Sequence, residues 1–287
     1  MTNKLGKEQL SQKAINKMKS LARKGADAIA SALFPPRCLV CDEILEPEEN
    51  KKGIHLACEN KLYPIYGAVC MHCGRPLGDR NAKKQKLYES TQEYCFDCER
   101  RRKTFQQNEE LSPERGRFSP ITQGKSLYLY KGAIKKSMYR FKYSNKREYA
   151  TYFAQQAVKK YGNWMQKNGI EVIVPVPMYP QKQRRRGYNQ AENFAKELGR
   201  ITGVPVDTKC VRRVEDTKPL KTLDAIQRKN NLKNAFQMGK NVVQYNCAMV
   251  VDDIYTTGST AEAVAQELIK QGTRKVYLLT VCIGGDM

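Results

Sequence analysis

Two rhythms alternate along the second half of the chain. Apolar runs of strand length occur at Glu171–Val176, closed by Pro175 and Pro177, and at Cys247–Val251. Ser126–Tyr130, Val204–Val214 and Lys275–Ile283 also read as strands. Between them, Gly132–Tyr143, Arg147–Gln166, a segment running through Leu198, and Ser259 onward have helical spacing. On the last of these, Ala263, Val264, Leu268 and Ile269 fall on one face. Lys218–Lys240 holds a loop and a short helix. Strands alternating with helices through short connections predict an α/β domain over residues 125–287, a parallel sheet with right-handed crossovers and helices on both faces.

The first third of the chain has no such rhythm. Residues 1–30 are a basic extension in which Leu10, Ile15, Met18 and Leu21 are only loosely spaced for a helix. They read either as a basic amphipathic helix touching a membrane surface, nucleic acid or a partner, or as a solvated extension. No apolar run is long enough for a membrane helix, and Met1–Ser20 lacks the core of a secretory signal. A cytoplasmic protein is expected, with peripheral membrane contact as the variant.

Residues 31–105 form a cysteine-rich segment. Seven of the ten cysteines fall between Cys38 and Cys98, six of them in CxxC pairs. Two such knuckles complete a tetrahedral zinc site. Cys70, Cys73, Cys95 and Cys98 match a zinc ribbon, with Gly74 following the first knuckle. Cys38, Cys41, Cys58 and His55 would make a second site of three thiolates and one imidazole. A segment this small and polar needs the ion for its folding energy. Disulfides are disfavoured in a cytoplasmic protein, and iron–sulfur ligation fits the two-plus-two spacing less well. Cys210, Cys247 and Cys282 read as core packing. Residues 106–124 read as a linker, and the preceding run Arg100–Lys103 as either a nucleic-acid contact or plain solvation.

Charge then narrows the partners. Lys and Arg number 51 against 29 Asp and Glu, a formal net charge of +22 that attracts nucleic acid, anionic lipid or phosphorylated ligands. Beyond the Cys247–Val251 strand stand Asp252 and Asp253, then Thr256, Thr257, Gly258, Ser259 and Thr260. A strand turning through small polar residues into a helix offers N–H groups to a phosphate. Two acids beside that cradle call for ribose hydroxyls or hydrated magnesium between them and the phosphate. After the Glu171–Val176 strand, on the same sheet edge, come Arg184, Arg185 and Arg186, which would clamp a pyrophosphate or grip a nucleic-acid backbone. Among the cations, Tyr139, Phe141, Tyr143 and Tyr188 would stack bases or fill the core and a ligand pocket.

Val250–Thr260 resembles the phosphoribosyl pyrophosphate (PRPP) signature of type I phosphoribosyltransferases. The resemblance implies that the two acids hold ribose hydroxyls and the loop wraps the 5-phosphate, with Mg2+ accompanying PRPP. Val174-Pro-Val-Pro, Arg186-Gly-Tyr-Asn-Gln-Ala, Phe141-Lys142-Tyr143 and the Arg228–Phe236 segment are together similar to the ComF family of competence proteins. That resemblance runs from about Leu33 to the end. It implies a zinc ribbon joined to a phosphoribosyltransferase-like domain, Lys142 beside the anion site, a role in DNA uptake, and partners that include single-stranded DNA and a helicase-like ATPase. Where the family has a further cysteine, Lys61 stands here, so His55 must complete the first zinc site. The alternative reading is a salvage enzyme that transfers phosphoribosyl to a base; no base-specific pocket is legible.

Overall fold

The computed structural model describes residues 35–77, 93–109, 118–216, 235–240 and 243–284. The N-terminal extension, most of the Lys218–Lys240 segment, Arg228 and the middle of the expected linker lie outside these residues. The chain divides into two compact units, Met1–Glu59 and Asn60–Met287.

In the first unit, a knuckle at Cys38–Cys41 is followed by an isolated antiparallel bridge between Arg37 and Ile44 and a one-turn helix α1 (Leu56–Glu59). Leu39, Leu45, Ile54, Cys38 and Cys58 are its buried residues of note. So few apolar side chains bury little area, which fits a fold held by an ion.

The second unit begins with the knuckle Cys70–Cys73 and continues into α2 (Phe96–Glu109), which starts inside the second knuckle. Next come β1 (Gln123–Leu129), α3 (Ala133–Tyr143), α4 (Tyr149–Lys167), β2 (Val172–Pro175), α5 (Pro180–Arg186) and α6 (Gln190–Thr202). β3 (Val211–Arg213), β4 (Phe236–Met238), β5 (Cys247–Tyr255), α7 (Ser259–Lys270) and β6 (Lys275–Ile283) follow. The main sheet has the order β1-β6-β5-β2 and every pairing in it is parallel.

Both faces of that sheet are covered, which is why its strands read as continuous apolar runs rather than alternating ones. Val172, Val174, Ala248, Val250, Val276 and Leu278 share a cluster with Ala261, Val264, Ala265 and Leu268 of α7. The intervening Ile173, Met249, Val251, Tyr277 and Leu279 are buried as well. On their side Trp164 of α4 meets Tyr277 edge to face at 5.4 Å, and α6 packs on β2 and β5. Each fully buried Val or Leu on these faces contributes about 1.5–3 kcal/mol of transfer free energy.

Three features differ from or add to the sequence reading. The strand expected over Val204–Val214 is broken: Val206 bridges Ile173 in parallel, then the Asp207 side chain accepts the Lys209 N–H at 2.9 Å and turns the chain. Only Val211–Arg213 resumes as a strand, now antiparallel to β4. The Asx turn competes successfully with the ladder. Secondly, the second zinc knuckle pair packs into the core of the α/β unit. Cys70, Cys73, Cys95 and Cys98 sit in the same hydrophobic cluster as β2, β5 and α7. Gly74, at φ 75°, brings the knuckle so close to β1 that a Cβ would lie 2.6 Å from the Gly124 carbonyl oxygen, and Gly124 N–H donates to His72 O at 2.6 Å. Thirdly, Phe96–Glu109 is a helix that carries the basic run into the stretch expected to be linker. It has no apolar stripe to reveal it, and i,i+3 and i,i+4 pairs of Glu99 with Arg102 and Lys103 support it instead.

Candidate anion site and metal centres

β5 runs on past Val251 through the two acids to Tyr255, so Asp252 and Asp253 stand within the strand near its carboxyl end, and Asp252 pairs in register with Thr280 of β6. They are less exposed than the strand-end position suggests. Asp253 carries 14% of its side-chain surface and accepts an ion pair from Lys142 Nζ at 2.9 Å. Asp252 Oδ1 accepts the Asp253 N–H at 2.8 Å. Burial, followed by the charge of Asp253, pushes the Asp252 carboxyl up to about 7, against the pull of the Asp253 amide, Lys142 and Arg213. Burial tends to lower the Lys142 ammonium, but Asp253 and Asp252 hold it above its ordinary value.

Past Tyr255 the chain turns through Thr256 and Thr257 to Gly258, whose φ of 84° makes it the N-cap of α7. A Cβ at Gly258 would overlap the Tyr255 hydroxyl, so glycine alone permits this turn. Residues Ile254 to Ala261 line a small open hollow at the helix N-terminus. Within it Thr257 Oγ1 and Ser259 Oγ are 2.9 Å apart. Gly258 offers no capping side chain, and the Ser259 N–H at the start of α7 donates to Thr257 Oγ1 at 3.5 Å, at the helix end where an anion would be favoured. Asp252 and Asp253 lie in β5, and Thr256, Thr257, Gly258, Ser259 and Thr260 in the turn and first helical residues that follow it.

The arginines do not form a loop; they occupy the last turns of α5, which ends at Gly187 with φ 88°. Arg184 and Arg185 are exposed. Arg186 turns inward: its guanidinium donates to Gln190 Oε1 at 2.8 Å and stacks over Tyr143 at 4.9 Å. Its charge also reaches Lys142. Tyr139 and Tyr143 are exposed and pair at 5.0 Å, whereas Phe141 and Tyr188 are core residues. Arg213 of β3 is a cation near Asp252 that no sequence motif singles out.

The cysteines assemble into two groups whose ligand atoms all lie within 4.8 Å of one another: Cys38, Cys41, His55, Cys58, and Cys70, Cys73, Cys95, Cys98. Tetrahedral zinc with Zn–S of about 2.3 Å needs sulfurs about 3.8 Å apart. Cys73 Sγ and Cys95 Sγ are 3.6 Å apart. Hydrogen bonds from Cys73, Cys95 and Cys98 hold the Cys70 thiol far below its ordinary value. In the first group the Cys41 sulfur is 3.3 Å from His55 Nδ1, while His55 Nε2 lies 3.0 Å from the Ile44 carbonyl. A carbonyl on one ring nitrogen fixes the proton there and leaves the other free to ligate, the usual support of a metal-bound imidazole. Both groups fit zinc. Cys210, Cys247 and Cys282 are buried and lie outside them.

The basic run has a role the sequence did not disclose. Arg101 pairs with Glu262 in the first turn of α7 at 2.7 Å. Burial alone would raise Glu262, but His72 and Arg101 hold it below the usual carboxylate range. His72, buried within its knuckle, lies 3.7 Å from the same carboxylate. Arg75 pairs with Asp97 at 2.8 Å and donates to the Thr256 carbonyl at 3.5 Å.

Residues 29–99 match the double zinc ribbon domain family. Competence protein F of Haemophilus influenzae is 41% identical over 110 residues, covering 38% of this chain and 48% of that protein. DNA utilization protein YhgH of Escherichia coli is 31% identical over 148 residues, covering 50% and 65%. Competence protein ComFC of Bacillus subtilis is 26% identical over 250 residues, covering 82% and 89%. The chain is thus similar to competence and DNA-utilisation proteins of the ComF family. It spans about half to two thirds of the length of the first two relatives, and most of the ComFC relative. Solved structures similar to this chain include purine phosphoribosyltransferase from Pyrococcus horikoshii, 14% identical with a TM-score of 0.27, covering 45% of this chain and 72% of that one. Adenine phosphoribosyltransferase from Saccharomyces cerevisiae is 22% identical with a TM-score of 0.29, covering 46% and 68%. Among the described residues no helix is long and apolar enough to cross a membrane.

Proposed function

We propose that this chain is a DNA-uptake or DNA-utilisation accessory protein that binds PRPP, or a related phosphoribosyl ligand, with Mg2+, and single-stranded DNA on its basic surface. The observation that carries the reading is the pair Asp252–Asp253 followed at once by the Thr256–Thr260 turn into α7. In this reading the turn receives the 5-phosphate on helix N–H groups and hydroxyls, and the carboxylates receive the ribose hydroxyls. Mg2+, where bound with PRPP, would offset the charge of the pyrophosphate beside the two carboxylates. Lys142 and Arg186, adjacent at the site, serve the pyrophosphate. Arg184 and Arg185, exposed on α5, serve the DNA backbone, and the exposed Tyr139–Tyr143 pair stacks bases. Each cysteine group holds one zinc ion as structure. The helicase-like ATPase of the uptake machinery and a peripheral membrane contact belong to the same reading, which rests for them on the family names.

Isothermal titration of the zinc-loaded protein with PRPP and Mg2+, run against adenosine and uridine monophosphates, tests the pocket. Saturable binding of PRPP that needs Mg2+ is expected. Monophosphates binding as tightly without Mg2+ would reject the assignment. Fluorescence titration with single-stranded DNA across a salt series tests the second ligand: affinity should fall steeply with salt and depend little on sequence. Binding insensitive to salt, or none at moderate ionic strength, would reject the nucleic-acid role.

A further inference from the structure

Three contacts tie the second zinc knuckle pair to the turn that precedes α7. The first is Arg75, two residues beyond Cys73 and buried at 6% exposure, whose guanidinium donates to the Thr256 carbonyl at 3.5 Å while Asp97 holds it from the other side at 2.8 Å. A trans peptide points its C=O and the following N–H in opposite directions. Fixing the Thr256 carbonyl toward the ribbon therefore turns the Thr257 N–H away from it, toward the hollow. The second is Arg101 on Glu262 at 2.7 Å. Glu262 lies in the first turn of α7, where an uncompensated carboxylate would repel an anion at the helix N-terminus. The third is Tyr255, buried at 5% exposure in the same cluster as Cys73 and Cys98, its hydroxyl directly beneath Gly258.

We propose that the Cys70–Cys73–Cys95–Cys98 ribbon is the support of the phosphate turn, with Arg75 and Arg101 as positioning residues: Arg75 orients the Thr256–Thr257 peptide and Arg101 neutralises Glu262. The ribbon is in this sense part of the anion site rather than an appended module. Loss of its metal releases α2 and both arginines, and with them the turn. The inference rests on the reading of this turn as a phosphate site, although its structural half is testable without a ligand.

The experiment uses the full-length, zinc-loaded protein and the variants Arg101→Ala, Arg101→Ala with Glu262→Gln, Arg75→Ala and Arg75→Lys. Zinc content is measured by chelator release, amide hydrogen exchange over residues 254–260 by mass spectrometry, and affinity for ribose 5-phosphate by calorimetry. Arg101 keeps 33% of its side-chain surface, so Arg101→Ala is the decisive variant should Arg75→Ala fail to fold. Arg101→Ala should keep its zinc, exchange the turn amides several-fold faster, and bind ribose 5-phosphate about tenfold more weakly. Adding Glu262→Gln should restore most of that affinity, because the uncompensated charge is gone, a recovery that a merely structural role would not produce. Arg75→Lys should lie between wild type and Arg75→Ala. Turn exchange unchanged in Arg101→Ala at full zinc occupancy would overturn the support role, whether or not ligand binds. Wild-type protein that binds no ribose 5-phosphate, yet shows the exchange difference, would instead reject the phosphate reading and leave the support role standing.

Discussion

Replacing Asp252 by asparagine should make the ligand-free protein more stable at neutral and alkaline pH. The Asp252 carboxyl is raised from 3.8 to about 7 by burial and by Asp253, a rise equivalent to about 4 kcal/mol if it belonged to this group alone. About 2–4 kcal/mol of it is expected in the stability difference, because the site relaxes and the unfolded chain is itself partly compact. The sign follows from proton counting: between pH 4 and 7 the folded chain holds a proton here that the unfolded chain has released, so stability falls as pH rises through that window. Asparagine keeps the size of the side chain and the oxygen that accepts the Asp253 N–H, but has no charge to desolvate. The variant should thus match wild type near pH 4 and exceed it increasingly up to about pH 8, by about 5–10 °C in Tm. Paired thermal scans of both proteins at each pH check this. Because zinc ligation responds to pH in both, only the difference between the two curves is read. Parallel curves, or a variant less stable at pH 8, would show that the carboxyl is not desolvated as described. A gain would identify Asp252 as a residue kept at a cost to the fold, as expected of a ligand-binding group.

Other outcomes are expected. Freshly purified, reduced protein should contain two zinc ions per chain by metal analysis; Cys98→Ser should lose the ribbon's ion and His55→Ala the other, and retention of both ions by His55→Ala would remove His55 from the ligand set. Asp252→Asn combined with Asp253→Asn should abolish PRPP–Mg2+ binding in titration while the circular dichroism spectrum stays native, and undiminished affinity would place the ligand elsewhere. Arg186→Ala should weaken PRPP binding, whereas Arg184→Ala with Arg185→Ala should leave it intact and reduce the salt slope for single-stranded DNA by up to about 0.7 per lost contact; the opposite pattern would exchange their roles.

Much of the sheet was legible because both its faces are buried. Cys247–Val251 and Lys275–Ile283 are runs that water would not tolerate, and small polar residues after Asp253 can only be a turn into a helix start. The knuckles were equally legible, since CxxC spacing is a local chemical device. What tertiary structure decided involves partners remote in sequence. The basic run Arg100–Lys103 offered no periodicity from which to read a helix, because ion pairs and the ribbon hold α2 rather than an apolar stripe, and Arg101 finds its partner at Glu262 only once the knuckles pack on α7. The ionisation of Asp252 likewise depends on how deeply β5 is buried and on Lys142 and Arg213 arriving from other elements. Local propensity and spacing fix which residues can make a strand, a knuckle or a turn; electrostatic partnership depends on distance and desolvation, which exist only after packing.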